Sequence, residues 1–162
     1  MNNSKSVYIL SKLAIVAALY VVITFSIMPI GYGPIQIRLS EILVLLAFFD
    51  KRYIISLTIG CFFANLLSPL GVIDVIVGTL GTFFSAYAIS KTKSLFLATL
   101  WPSIFCIPVV LILHILVGLP FFLYLFGFMI GEVLSVTIIG YPIMKVLFRK
   151  EKFLHLIDLK RI

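Results

Sequence analysis

The stretch Gln36-Ile-Arg-Leu-Ser-Glu-Ile-Leu-Val-Leu-Leu-Ala-Phe-Phe-Asp-Lys-Arg52 places an apolar run between a charged entrance and a charged exit. The run from Leu39 to Phe49 offers about eleven residues, roughly half of the ~20 that an α-helix needs to cross the hydrocarbon of a bilayer. Its ends differ in kind. Asp50-Lys51-Arg52 is a basic turn of the sort that marks a cytoplasmic face, whereas Arg38 and Glu41 stand at the opposite end. What surrounds this run decides whether it is a truncated membrane span or part of a soluble core.

The composition answers that question. Of the 162 residues 62% are hydrophobic and 12% charged, and the mean hydropathy is +1.24. A water-soluble domain is far more polar, so the chain reads as an integral membrane protein. The net charge of +7 sits at loop ends, which favours membrane orientation over nucleic-acid binding.

Working outward, six apolar stretches follow one another. Span one runs from about Val7 to Met28 and is read as a retained first helix, because no small-residue cleavage pattern follows it. The turn-rich Pro29-Ile-Gly-Tyr-Gly-Pro34 cannot continue that helix. Span two is Leu39 to Phe49, and span three, Tyr53 to Leu67, stops at Ser68-Pro69-Leu70-Gly71. Span four takes Val72 to Ser90, span five Leu95 to Val117, and span six reaches about Phe148 after Gly118 and Pro120.

Six crossings place Lys5, Lys12, Lys51, Arg52, Lys91, Lys93, Lys145, Arg149, Lys150, Lys152, Lys160 and Arg161 on one side. The expected fold is therefore an all-α bundle of six transmembrane helices over residues 1–148, with cytoplasmic N- and C-termini. Residues 149–162 are expected to form a cytoplasmic amphipathic tail. Spans two and three fall short at their outer ends. Non-helical backbone at that depth needs protein or a wet cavity around it, so Pro29 to Ser40 is expected to dip over an outward-facing pocket.

Five ionisable residues lie at the outer ends or inside the spans: Arg38, Glu41, Asp74, His114 and Glu132. Such groups cost about 2.5–3.5 kcal/mol each on insertion scales and default to a functional reading. Arg38 and Glu41, three apart, could instead neutralise one another. Asp74 could serve the N-terminus of span four, and His114 could be an interfacial residue. Glu132 has no cap or neighbouring charge and needs a cavity or a partner such as Arg38 or His114.

Small residues recur at four-residue spacing in Ala14 and Ala18, Gly60 and Ala64, and Gly127 and Gly131. They allow close helix approach within the fold or, for the alanine pair, an external docking face. Cys61 and Cys106 read as buried thiols with no disulfide or metal role. No P-loop, HExxH, GxSxG or Cys/His metal spacing occurs, so no nucleotide, metal or other cofactor is expected.

The segments Gly33-Pro-Ile-Gln-Ile-Arg-Leu-Ser-Glu41, Gly60-Cys-Phe-Phe-Ala-Asn-Leu-Leu-Ser-Pro-Leu-Gly-Val-Ile-Asp74 and Gly78-Thr-Leu-Gly81 resemble the QueT-type queuosine-precursor transporters. These are substrate-binding S components of energy-coupling factor (ECF) transporters. The resemblance extends to Leu119-Pro-Phe-Phe and Gly131-Glu132. It implies a non-enzymatic module in the cell membrane that captures a 7-deazaguanine-type precursor from outside and topples in the membrane to deliver it. The partners implied are a transmembrane coupling subunit and two ATPases, which would supply the missing P-loops, with Ala14 and Ala18 as the docking motif. An S component for another heterocyclic vitamin, a small membrane enzyme and a scaffold are the alternatives.

On that resemblance Glu132, Asp74 or Glu41 would accept the N–H edge of a guanine-like ring. Gln36, Arg38 and Asn65 would read its carbonyl edge, and Tyr32, Phe63 and Phe121 would stack on it. Two departures bear on the ligand. Ala47-Phe48-Phe49 stands where relatives have Pro-Phe-Phe, and span five, with Cys106, Pro108 and His114, lacks the Asn and acid the family often carries.

Overall fold

The computed structural model of the protein describes residues 3–32 and 35–159. Gly33 and Pro34 of the turn segment, and Lys160, Arg161 and Ile162 of the expected tail, lie outside the described residues, as do the side chains of Lys5 and Pro29. The described residues form helices α1 (Asn3–Ser26), α2 (Leu39–Phe49), α3 (Tyr53–Asn65), α4 (Gly71–Lys91), α5 (Leu95–Val117), α6 (Phe121–Leu147) and α7 (Glu151–Ile157), with a separate single helical turn at Met28–Gly31 after α1. Four segments are long and apolar enough to cross a membrane: Ser6–Ser26, Gly71–Lys91, Leu95–Val117 and Phe121–Leu147. Among the apolar helices, α2 and α3 are the shorter ones, at the places where the sequence runs out of apolar residues. Large apolar side chains such as Val7, Ile15, Ile115 and Phe122 stay exposed around the bundle, as lipid-facing surfaces require.

Three helices carry irregular stretches. In α2 the residues Leu39–Leu45 form a 3₁₀ helix before an α-turn at Leu46–Phe49. A 3₁₀ helix rises about 2.0 Å per residue against 1.5 Å, so this short segment reaches further than an α-helix of equal length. In α5 Pro102 sits in the first turn of Trp101–Val117, and Pro108 lies inside it and withholds one backbone donor. In α6 the residues Val133–Gly140 form a π-helix that begins directly after Glu132, and such stretches concentrate at functional sites.

Glycines set the closest helix contacts. A methyl group on Gly60 would lie 2.9 Å from Tyr20 Cβ and 3.0 Å from the Ala17 carbonyl, so α1 and α3 touch with no space between them. One on Gly78 would lie 2.6 Å from Asn65 Nδ2, which marks the α3–α4 contact. In lipid, packing of this closeness replaces the hydrophobic effect as the force between helices.

Helix α7 and the residues after it pack against α1 and α3. Ile157 and Leu159 are buried in the same core cluster as Tyr20, Leu57 and Ile89. Tyr53 donates to the Ile157 carbonyl at 2.7 Å, and Lys12 Nζ donates to the Asp158 carbonyl at 2.9 Å. The tail is therefore clasped to α1 and α3 rather than free. In the turn between α2 and α3, Arg52 Nη2 pairs with Asp50 at 2.7 Å, and this hydrogen bonding raises the Arg52 pKa above its ordinary value.

Candidate functional site

Four of the five ionisable residues that sequence places at the outer ends or inside the spans, all but His114, converge on one cavity. Gln36, Arg38, Glu41, Asp74 and Glu132 line it with Gly78, Gly81, Thr82, Ser85, Phe105, Cys106 and Phe128. The extended segment before α2 delivers Gln36 and Arg38, and Arg38 itself has φ −111° and ψ 96°. Helix α4 presents Asp74, Gly78, Thr82 and Ser85 along one face, at helical spacing. Glu132 arrives from α6 and Phe105 from α5.

The ion pairing differs from the neutral pair that spacing suggests for Arg38 and Glu41. Arg38 precedes the helix, so the two do not share a helical face, and its Nη2 lies 3.7 Å from Asp74 Oδ2. Both residues are buried, at 6% and 1% exposure. Arg38 Nε donates to the Gly31 carbonyl at 3.3 Å, and its guanidinium lies over the Tyr32 ring at 5.1 Å. Glu41 Oε1 instead accepts from the Tyr20 hydroxyl and from Thr82 Oγ1, the latter at 3.3 Å.

Asp74 is likewise not a helix cap. The N-cap of α4 is Leu70, which has no side-chain cap bond, and Asp74 accepts from Ser68 Oγ while facing Arg38. Asn65 is fully buried beside it, with Nδ2 donating to the Asp74 carbonyl at 3.4 Å. Asn65 thus supports the cavity wall without lining it. Tyr32 is half-buried, with its hydroxyl on the Ala64 carbonyl at 2.5 Å, and reaches the site through Arg38.

Three of the candidates lie elsewhere. His114 is exposed at the end of α5, where Nδ1 lies 2.6 Å from the Leu119 carbonyl and its ring 5.8 Å from that of Phe121. Both residues brace the α5–α6 turn. Phe63 is 52% exposed and lines a separate groove. The aromatic walls of the cavity are Phe105 and Phe128, which residue type alone could not pick out among 15 phenylalanines. Thr82 and Ser85 were findable, since they extend the Asp74–Gly78 face at helical spacing. Tyr20 carried no such signal.

Arg38 Nη2, Ser85 Oγ and Glu132 Oε2 are buried with no hydrogen-bond partner among the described residues. A buried polar atom left without a partner costs about 1–3 kcal/mol, more when charged, so the cavity holds stored demand for a ligand. It offers a cationic donor beside carboxylate acceptors between two aromatic rings. That pattern complements a planar heterocycle whose carbonyl adjoins N–H groups. Among the described residues no three His, Cys, Asp or Glu side chains converge to hold a metal ion. The cavity volume is about 50 Å³, well below the ~300–1,000 Å³ of sites that take drug-sized ligands. A bicyclic ring would need more room than this volume provides.

A second, apolar groove of about 380 Å³ runs between α1 and α3 on the outside of the bundle, lined by Ala14, Ala17, Ala18, Val21, Ile55 and Ile59 among others.

The family model described as "QueT transporter" matches residues 10–149. The curated protein "Queuosine precursor transporter QueT" of Lactococcus lactis subsp. cremoris (strain MG1363) is 54% identical over 84 residues, covering 51% of this chain and 48% of that protein. The match thus spans about half the length of that relative. No solved structure matches the chain.

Proposed function

The chain belongs to the QueT transporter family, and on that premise we propose that it is the substrate-capture component of an ECF-type importer for a queuosine precursor of the 7-deazaguanine type. It is a multi-pass membrane protein. In this reading α1 to α6 all cross the bilayer, with Lys12, Lys51, Lys91 and Lys145 facing the cytoplasm, and the cavity opens outward beneath the segment before α2. The seventh helix and its clasp then lie on the cytoplasmic side.

One observation carries the proposal: Arg38 Nη2 and Glu132 Oε2 are buried, have no hydrogen-bond partner among the described residues, and belong to residues that line one cavity with Phe105 and Phe128. Arg38 would donate to the ring carbonyl while Glu132 accepts from the adjacent N–H groups, with Phe105 and Phe128 against the ring faces. Gln36 completes the polar lining. Exclusion of water strengthens each of these bonds. The exposed Ala14 and Ala18 would admit the coupling subunit to the groove on α1, and ATPases bound to that subunit would supply the energy. Toppling of the module in the membrane is the delivery step in this reading.

The test is a thermal-shift screen of the purified chain in detergent with purines, vitamins, and 7-cyano- and 7-aminomethyl-7-deazaguanine. Binding stabilises the folded form by mass action, by about 2.7 kcal/mol at a ligand concentration of 100 Kd. A shift with a deazaguanine and none with the vitamins is expected; a shift with vitamins alone overturns the ligand assignment. Glu132→Gln keeps the shape but loses a charge-assisted bond, so affinity should fall by roughly 10–100-fold. Unchanged affinity would remove Glu132 from the site. Replacing Ala14 and Ala18 by Leu should fill the groove, spare ligand affinity and weaken co-purification with the coupling subunit. Intact assembly with lost binding would refute the docking role.

A further inference from the structure

Two side chains on one face of α1 tie that helix to the beginning of α2. Tyr20 is fully buried and donates its hydroxyl to Glu41 Oε1. One turn further on, buried Thr24 donates to Ser40 Oγ at 2.7 Å. Glu41 lines the ligand cavity. Ala14 and Ala18, exposed on another face of the same helix, line the outer groove with Ile55 and Ile59 of α3. A single helix therefore touches the cavity acid on one side and forms the groove on the other.

The fit of α1 against α3 leaves no slack between these two faces. The Gly60 contact closes directly on Tyr20 Cβ and on the Ala17 carbonyl, with 2.9 and 3.0 Å left for a methyl group. Ser56 Oγ adds a bond to the Leu13 carbonyl at 2.6 Å, within the groove wall. Packed interfaces of this kind shift as units rather than deform locally.

We propose that Tyr20 is a coupling residue, which reports occupancy of the cavity to the docking groove through its hydrogen bond to Glu41. The proposal rests on the transport reading above. The cavity must widen to admit a bicyclic ligand, and a ligand donor directed at Glu41 competes for the oxygen that Tyr20 and Thr82 already share. Tyr20 is fully buried and the base of its side chain packs directly on Gly60, so in this proposal α1 moves when the hydroxyl is released or re-angled. Movement of α1 on α3 changes the width of the groove. Thr24 and Ser40 form the second tie of the same device. Linkage makes the effect reciprocal: whatever factor the ligand imposes on docking, docking imposes on ligand affinity.

The experiment uses the full chain in lipid nanodiscs and measures its dissociation constant for the coupling subunit with its ATPases, with and without ligand. The probe is whichever of 7-cyano- and 7-aminomethyl-7-deazaguanine gives the larger thermal shift. In the unmodified chain the ligand should change the assembly constant at least fivefold, the lower range of allosteric coupling. Tyr20→Phe keeps the ring and its Gly60 contact but removes the hydroxyl, and should bring the ratio to within twofold of one while assembly persists. A purely structural tie would lower stability and leave the ratio unchanged; that result, or a ratio within twofold of one in the unmodified chain, overturns the proposal. Should Tyr20→Phe not fold, Thr24→Val provides the second reading and should at least halve the ratio; an unaltered ratio there overturns it equally. Absence of any ligand binding or any assembly sinks the transport reading itself, so the two failures are distinguishable.

Discussion

Arg38→Met should weaken ligand binding by roughly 10–150-fold and lower the melting temperature of the ligand-free protein, whereas Arg38→Met combined with Asp74→Asn should recover the melting temperature without recovering binding. Arg38 and Asp74 are both buried, 3.7 Å apart. Removing one member of such a pair leaves the other charge uncompensated and costs about 3–5 kcal/mol, while removing both charges is often close to neutral. Binding behaves differently in the proposed reading, because Arg38 Nη2, which has no hydrogen-bond partner among the described residues, is the donor that would serve the ligand. Loss of a hydrogen bond to a charged group is worth about 1.5–3 kcal/mol, or roughly 10–150-fold in affinity. Isothermal titration and thermal melts on the three proteins separate the two effects. A double variant that binds normally would show that Arg38 is only the counter-charge of Asp74.

Gly131→Ala should be nearly as damaging, although it adds a single methyl group. That methyl would fall on the Gln36 carbonyl, closer than any real contact. A carbonyl belongs to the backbone and cannot swing aside as a side chain can, so the extended segment from Gln36 to Arg38 has to shift away from α6. Over-packing of this kind costs about 1–3 kcal/mol. The larger consequence is geometric, since Gln36 and Arg38 leave their positions opposite Glu132. Ligand affinity should fall at least tenfold, with a lowered melting temperature measured on the same sample. Normal affinity in Gly131→Ala would mean that the Gln36–Arg38 segment does not set the geometry of the site.

Much of this architecture was legible along the chain. Leu39 to Phe49 and Leu95 to Val117 are helical over the bounds that the apolar runs set, because hydropathy, turn residues and charged ends act locally. The same reading singled out Gln36, Arg38, Glu41, Asp74 and Glu132, which line one cavity, and also Asn65 and His114, which do not, since an ionisable or amide group within so apolar a chain needs a reason. It offered Glu41, three residues on, as an alternative counter-charge for Arg38, whereas the actual counter-charge, Asp74, comes from another helix. It chose Phe63 and Phe121 over Phe105 and Phe128 for a related cause. Aromatic side chains look alike in sequence, and on which side of a helix a neighbour packs is not a local property. Tyr20 was passed over because a tyrosine in a membrane helix is unremarkable until the acid it meets is known.

The amino-acid sequence by itself determined that the chain is a membrane protein of apolar helices, which stretches are helical, and which few polar groups are buried at an energetic cost. Those follow from terms summed along the chain. Tertiary structure alone decided that Arg38 faces Asp74, that Glu41 is held by Tyr20 and Thr82, and that Glu132 Oε2 has no hydrogen-bond partner among the described residues. Electrostatic and hydrogen-bond energies depend on distances of a few ångströms between helices, and those distances exist only once Gly60, Gly78 and Gly131 have let the backbones close upon one another.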